Sequence, residues 1–160
     1  MKIFIGSDHT GYDQKKEIIN YFSELGHEIV DKGAFSYEEG DDYPDFVTPV
    51  AESVASSGGG AGVILGGSGQ GEAMCANRVK GIRAMVFYGE EVPQEPVDVS
   101  GRRSVDSFEI IKLARKHNNA NVLSLATRFL SLDEMKFAIE LFLSTEFENE
   151  ERHIRRINKF

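Results

Sequence analysis

Between Gly66 and Glu72 the chain reads Gly-Gly-Ser-Gly-Gln-Gly-Glu. Residues of these types at this spacing can cradle an anion and move a proton. Glycines let successive backbone N–H groups converge, because they accept conformations that other residues resist. Ser68 adds a hydroxyl donor and Glu72 a carboxylate base. Gly62-Val63-Ile64-Leu65, just before, is a short apolar run that reads as a buried parallel strand. Glu72 to Asn77 reads as a helix start, whose unpaired N–H groups and positive dipole end would face the same point. The loop is not a dinucleotide fingerprint, since a G-x-G-x-x-G beginning at Gly67 needs glycine where Glu72 stands. Nor is it a Walker A loop, because no Gly-Lys-Ser/Thr occurs. Alone, the pattern reads as a small anion or sugar at a helix N-terminus, or as a tight turn whose glutamate satisfies the helix dipole.

The other candidates also admit two readings each. Asp8-His9 follows the first strand pattern and is either a binding pair or a solvated strand end. His117-Asn118-Asn119 supplies an imidazole and amides, or simply closes a helix, since Asn tolerates the left-handed conformation. Arg152 and Arg156 are four apart, on one helix face, and suit a phosphate or a solvated tail neutralised by Glu148, Glu150 and Glu151. Cys75 is flanked by apolar residues and is expected to be buried and inert. His9, His27, His117 and His153 have no ligand-type spacing and no cysteine pair exists, so no metal site is expected.

The elements that must position these residues alternate strand with helix. Lys2 to Gly6, Glu28 to Asp31, Gly62 to Leu65, Ile82 to Phe87 and Asn121 to Leu125 read as strands. Asp13 to Leu25, with Ile18, Ile19, Phe22 and Leu25 at helical spacing, is closed by Gly26. A second helix follows Asp42-Tyr43-Pro44-Asp45-Phe46 through Val54. A third candidate is capped by Ser104 and ends near His117, and a fourth opens with the box Ser131-Leu132-Asp133-Glu134. Ser36 to Asp42 is an acidic loop, Gly89 to Arg103 a surface excursion with two prolines, and 148–160 a charged tail. This order predicts one α/β domain over 1–160, a doubly wound, Rossmann-like five-stranded parallel sheet with helices on both faces. In such sheets ligands bind at the carboxyl ends of the strands, which is where Asp8-His9, the glycine loop and Arg128 fall. His117-Asn118 precedes the fifth strand and is not placed at that end by local order.

At 160 residues the chain is long enough for one core. A net charge of −8 argues against nucleic acid as the main partner, so an anionic ligand needs a local basic cluster. One cysteine allows no internal disulfide and fits a reducing cytoplasm. The chain opens directly into a strand pattern, so no leader is expected, and no apolar run is long enough to span a membrane.

Five segments in order resemble one family. They are Ile5 to Gly11 (IGSDHTG), Asp42 to Phe46 (DYPDF), Gly66 to Glu72 with Ala76 to Arg83, His117 to Asn121 (HNNAN), and Arg152 to Arg156 (RHIRR). The chain is similar to type B ribose-5-phosphate isomerases, a family shared with galactose-6-phosphate isomerase subunits. The resemblance covers nearly the whole chain apart from 89–103. It implies metal-independent, cofactor-free aldose–ketose isomerisation through an enediolate. The family divides into members with a cysteine just before the glycine loop and members with a glutamate just after it. Gly66 occupies the cysteine position, which leaves Glu72 as the base.

By the same resemblance, Ser68 and the loop amides from Gly67 through Gly69 to Gly71 hold the enediolate oxygen. His117 or His153 opens the sugar ring, with His117 preferred. Asp8, His9, Tyr43 and Asn118 hold the sugar, and Arg128, Arg152 and Arg156 hold its phosphate. The family's site is completed by a neighbouring subunit, which implies a homodimer or a tetramer. Alternatives are a hexose 6-phosphate substrate, a non-catalytic sugar-phosphate binding protein, or a flavodoxin-like nucleotide-binding domain.

Overall fold

The structure, a computed structural model, describes residues 1–160. The chain forms β1 (Lys2–Ser7), α1 (Tyr12–Glu24), β2 (Glu28–Asp31), α2 (Pro44–Ser56), β3 (Ala61–Gly66) and α3 (Gln70–Ala76). It continues with β4 (Ala84–Phe87), α4 (Glu109–Asn118), β5 (Val122–Ala126), α5 (Leu132–Ser144) and α6 (Glu151–Ile157). All five strands are parallel, in the order β2-β1-β3-β5-β4. The order reverses between β1 and β3, so the loops leaving those strands diverge and open a crevice at their carboxyl ends.

Alternation along the strands divides the core in two. Ile3, Ile5, Val63, Leu65, Leu123 and Leu125 face one side, under Ile18 and Phe22 of α1, Ile111 of α4 and Met135 and Phe142 of α5. Phe4 and Ile64 face the other side, under Val47, Val50 and Val54 of α2 and Ala76 of α3. Both faces of the sheet are therefore covered, as apolar strands require. No helix is long and apolar enough to cross a membrane.

Two local expectations need correction. Ser104 does not cap α4: the helix begins at Glu109, and the Ser104 hydroxyl instead donates to Glu109 Oε2 at 2.7 Å. Asp106, two residues before the Phe108 cap, accepts that residue's N–H at 2.8 Å and forms the turn that delays the helix. Cys75 is half-buried rather than buried, with Sγ 3.6 Å from Thr48 Oγ1. The box at Ser131 forms as expected. Ser131 Oγ accepts from Glu134 N, and Glu134 Oε2 accepts from Ser131 N at 2.7 Å.

Candidate active site

The loop from Gly66 to Gln70 is pinned to the end of β5. Gly66 O accepts from Thr127 N at 2.9 Å and Thr127 Oγ1 at 3.1 Å, and Gly67 O accepts from Arg128 N at 3.2 Å. Gly69 O accepts from the fully buried Ser124 Oγ at 2.7 Å, and Gly69 itself turns the chain at φ +71°. With these carbonyls drawn toward β5, the loop leads into the first turn of α3, whose Gln70 N–H donates to Ser68 Oγ at 3.4 Å. Ser68 stands exposed at the tip, Tyr43 packs against Gly71, and the Arg128 guanidinium lies across Gly67.

Glu72 sits under this loop. It is 4% exposed, and its carboxylate fills the space that a side chain at position 66 would take. Burial raises its pKa above the ordinary 4.5, helped by the charge of Asp8 and opposed by its own backbone N–H and Arg128. Burial thus outweighs the groups that oppose it, which makes Glu72 a stronger base than a free carboxylate.

Across the crevice Asp8 caps a single 3-10 turn, His9–Gly11, by accepting from Thr10 N at 2.9 Å. His9 turns its Nδ1 to Asp41 Oδ1 at 2.6 Å, and the same oxygen accepts the His9 backbone N–H at 3.1 Å. This bond raises the His9 pKa. Asp8 adds to the rise, while burial and Arg128 oppose it. Asp41 carried no signal beyond membership of an acidic loop, because its partner is 32 positions away. Ser124 and Thr127, which anchor the glycine loop, were equally silent in the sequence.

His117, Asn118, Arg152 and His153 form a second cluster, apart from the first. His117 ends α4 at the amino edge of the sheet, whereas Arg128 follows the carboxyl end of β5, a strand roughly 17 Å long. The His117 and His153 rings stack at 4.4 Å and 11°. His153 is buried with Nε2 unpartnered, and burial holds its pKa down, aided by His117 and Arg152. Glu148 Oε2 lies 3.7 Å from His117 Nε2, and Arg152 Nε donates to Glu150 Oε2 at 2.6 Å. Asn118 and Arg156 are exposed, and Asn119 closes α4 at φ +47°. One chain therefore brings together Asp8, His9, Tyr43, the glycine loop, Glu72 and Arg128, but leaves the histidine–arginine cluster elsewhere.

The fold gathers two trios close enough for a cation, which sequence spacing did not indicate: Asp8–His9–Asp41 and His117–Glu148–His153. In the first, hydrogen bonds to Thr10 and His9 already use an oxygen of each carboxylate. In the second, the two imidazole rings are stacked at 4.4 Å.

A doubly wound sheet with a buried carboxylate beneath a glycine-rich loop at its switch point defines a class of α/β proteins in which ligands bind at the carboxyl ends of the strands. The chain belongs to the ribose/galactose isomerase family, which it matches over residues 3–95 and 104–160. It is 34% identical over 158 residues to ribose-5-phosphate isomerase B of Mycobacterium leprae, covering 99% of this chain and 86% of that protein. Against the Escherichia coli K12 ribose-5-phosphate isomerase B it is 33% identical over 156 residues, covering 98% and 91%. A Mycoplasma genitalium ribose-5-phosphate isomerase B crystal structure with bound ribulose 5-phosphate superposes with a TM-score of 0.83. Identity to it is 36%, with 99% of this chain and 92% of that one covered. The break in the family match, 96–103, lies within the expected insertion.

Proposed function

We propose that this chain isomerises a phosphorylated aldose to its ketose, ribose 5-phosphate to ribulose 5-phosphate, with Glu72 as the base. The observation that carries this reading is the buried Glu72 carboxylate with a raised pKa, held beneath an amide-lined loop at the switch point. Glu72 takes the proton from C2 of the open-chain aldose, leaving an enediolate and a neutral carboxylic acid. It then returns that proton to C1, while the hydroxyl proton passes from O2 to O1. Ser68 and the amides from Gly67 to Gly71 face the enediolate oxygen, where such donors are worth roughly 10²–10³ in kcat each. Asp8, His9 and Tyr43 hold the sugar, and Arg128 pairs with phosphate through its planar fork.

The remaining roles fall to a second copy. His117, backed by His153, opens the ring, Asn118 holds a hydroxyl, and Arg152 and Arg156 complete the phosphate site. These groups sit too far from Glu72 to act within one chain, so a two-fold pair in which each subunit supplies its histidine cluster to the other accounts for both clusters. Met74 and Phe129 flank the Glu72 loop and Arg128 at 66% and 67% exposure, an apolar rim fit for such a contact.

The test is conversion of ribose 5-phosphate with EDTA present, for wild type and Glu72→Gln. Wild type is expected to turn over, and the variant to lose at least about 10²-fold in kcat. Near-wild-type kcat in Glu72→Gln would remove Glu72 from the mechanism, and inactivity of the wild type on every sugar phosphate would favour a binding protein.

A further inference from the structure

Residues 96–103 fall between the two segments that match the family, outside its common pattern. The segment is nevertheless firmly built. The Asp98 carboxylate accepts from Ser100 N at 2.9 Å, Ser100 Oγ at 2.6 Å, Arg102 N at 3.3 Å and Arg102 Nε at 3.1 Å. Val97 N donates to Arg102 O at 2.8 Å, closing the turn, and Gly101 takes φ +82° within it. Arg102 Nη2 then reaches Glu109 Oε1 at 2.6 Å, and Glu109 is only 3% exposed. The turn is thereby bolted to the first turn of α4, the helix whose other end carries His117.

Its tip does not hang over the Glu72 loop. Asp98, Val99 and Ser100 line a cavity of about 380 Å³ together with His117, Glu148 and Arg152. Glu109 and His117 lie roughly 12 Å apart along α4, so the insertion runs back beside the helix to reach the histidine cluster. Asp98 is neutralised by Arg102 and saturated with hydrogen bonds. The tip therefore offers the cavity the 83%-exposed Val99 side chain and the Ser100 oxygen. A preorganised turn of this kind is a wall that loses little entropy when a ligand meets it.

We propose that the 97–102 turn is a specificity wall of the sugar site, limiting the length of sugar phosphate that reaches His117 and Arg152. The inference rests on the isomerase reading above. The turn takes up space beside the two groups assigned to ring opening and phosphate binding, so a substrate longer by one carbon meets it first. One extra carbon against an apolar wall is worth a discrimination of about tenfold.

Two variants test this. The first replaces 97–102 with Gly-Gly, and the second is the exposed single change Ser100→Trp. Each is assayed on ribose 5-phosphate and on allose and galactose 6-phosphates. Shortening is expected to raise kcat/KM for a hexose 6-phosphate relative to ribose 5-phosphate by about tenfold. Ser100→Trp is expected to raise KM for ribose 5-phosphate several-fold with kcat little changed, and it decides the matter if the shortened chain does not fold. An unchanged substrate ratio and an unchanged KM in folded variants would overturn the wall while leaving the isomerase reading intact. Inactivity of the wild type on all three sugars would overturn both.

Discussion

His9 and Asp41 show how one contact sets a charge. With Nδ1–H donated to Asp41, His9 can donate from Nε2 only as imidazolium. Asp41 raises the pKa of His9, so the proton is retained to higher pH than on a free imidazole. Asp41→Asn removes the largest raising influence and leaves only the Asp8 charge against burial and Arg128, both of which lower the pKa. The expected outcome is a KM for ribose 5-phosphate that begins to climb at lower pH than in wild type, and is several-fold higher near pH 8. Profiles of KM against pH for both proteins check this. A coincident onset would mean that His9 does not act on substrate as a cation.

At the scale of elements, Lys15 ties α1 to the end of β2 and the turn that follows it. It is 1% exposed and donates to Asp31 Oδ1 at 2.7 Å, Asp31 Oδ2 at 2.9 Å and Ala34 O at 2.7 Å. Lys15→Met leaves those acceptors facing an apolar chain and is expected to cost about 2–3 kcal/mol. That is below the figure for a fully buried pair because Asp31 is about a third exposed. Urea unfolding of the two proteins measures it. Nothing in the sequence marks Lys15, since a lysine in an amphipathic helix normally lies on the wet face. The strands, α1, α2, α5 and the Ser131 box were legible because periodicity and capping are local signals. The start of α4 was not, because Ser104 is spent on Glu109 instead of on a helix N–H. The glycine loop was legible for the same local reason, whereas Asp41, Ser124 and Thr127 enter the site through contacts that only the folded sheet creates.

On the scale of the whole molecule, chain order left His117 off the carboxyl end of the strands; the fold adds that Arg152 and His153 join it there, at the opposite edge of the sheet from Glu72 and Arg128. That separation follows from α4 running back along the sheet before β5. It yields a test that needs no structure of the assembly. Glu72→Gln and His117→Ala subunits, each inactive alone, are co-expressed in equal amounts. If each site draws Glu72 from one chain and His117 from the other, mixed pairs hold one intact site, and activity recovers to about a quarter of wild type. If both residues serve a site within one chain, mixing restores nothing. The same separation reconciles an overall charge of −8 with an anionic substrate: Arg128, Arg152 and Arg156 would meet only in the assembled site.

Gly66 carries a consequence for how such chains change over generations. A Cβ placed there would stand 1.8 Å from Glu72 Oε1 and 2.1 Å from Cδ, so an occupied position 66 and a seated glutamate at 72 exclude each other. The two positions are therefore not free to vary independently. A lineage working from a side chain at 66 reaches the glutamate form only through an ancestor with both groups jammed or neither present. If Glu72 is the base, that intermediate is a poor catalyst either way, and a spare gene copy is the natural place for it to survive.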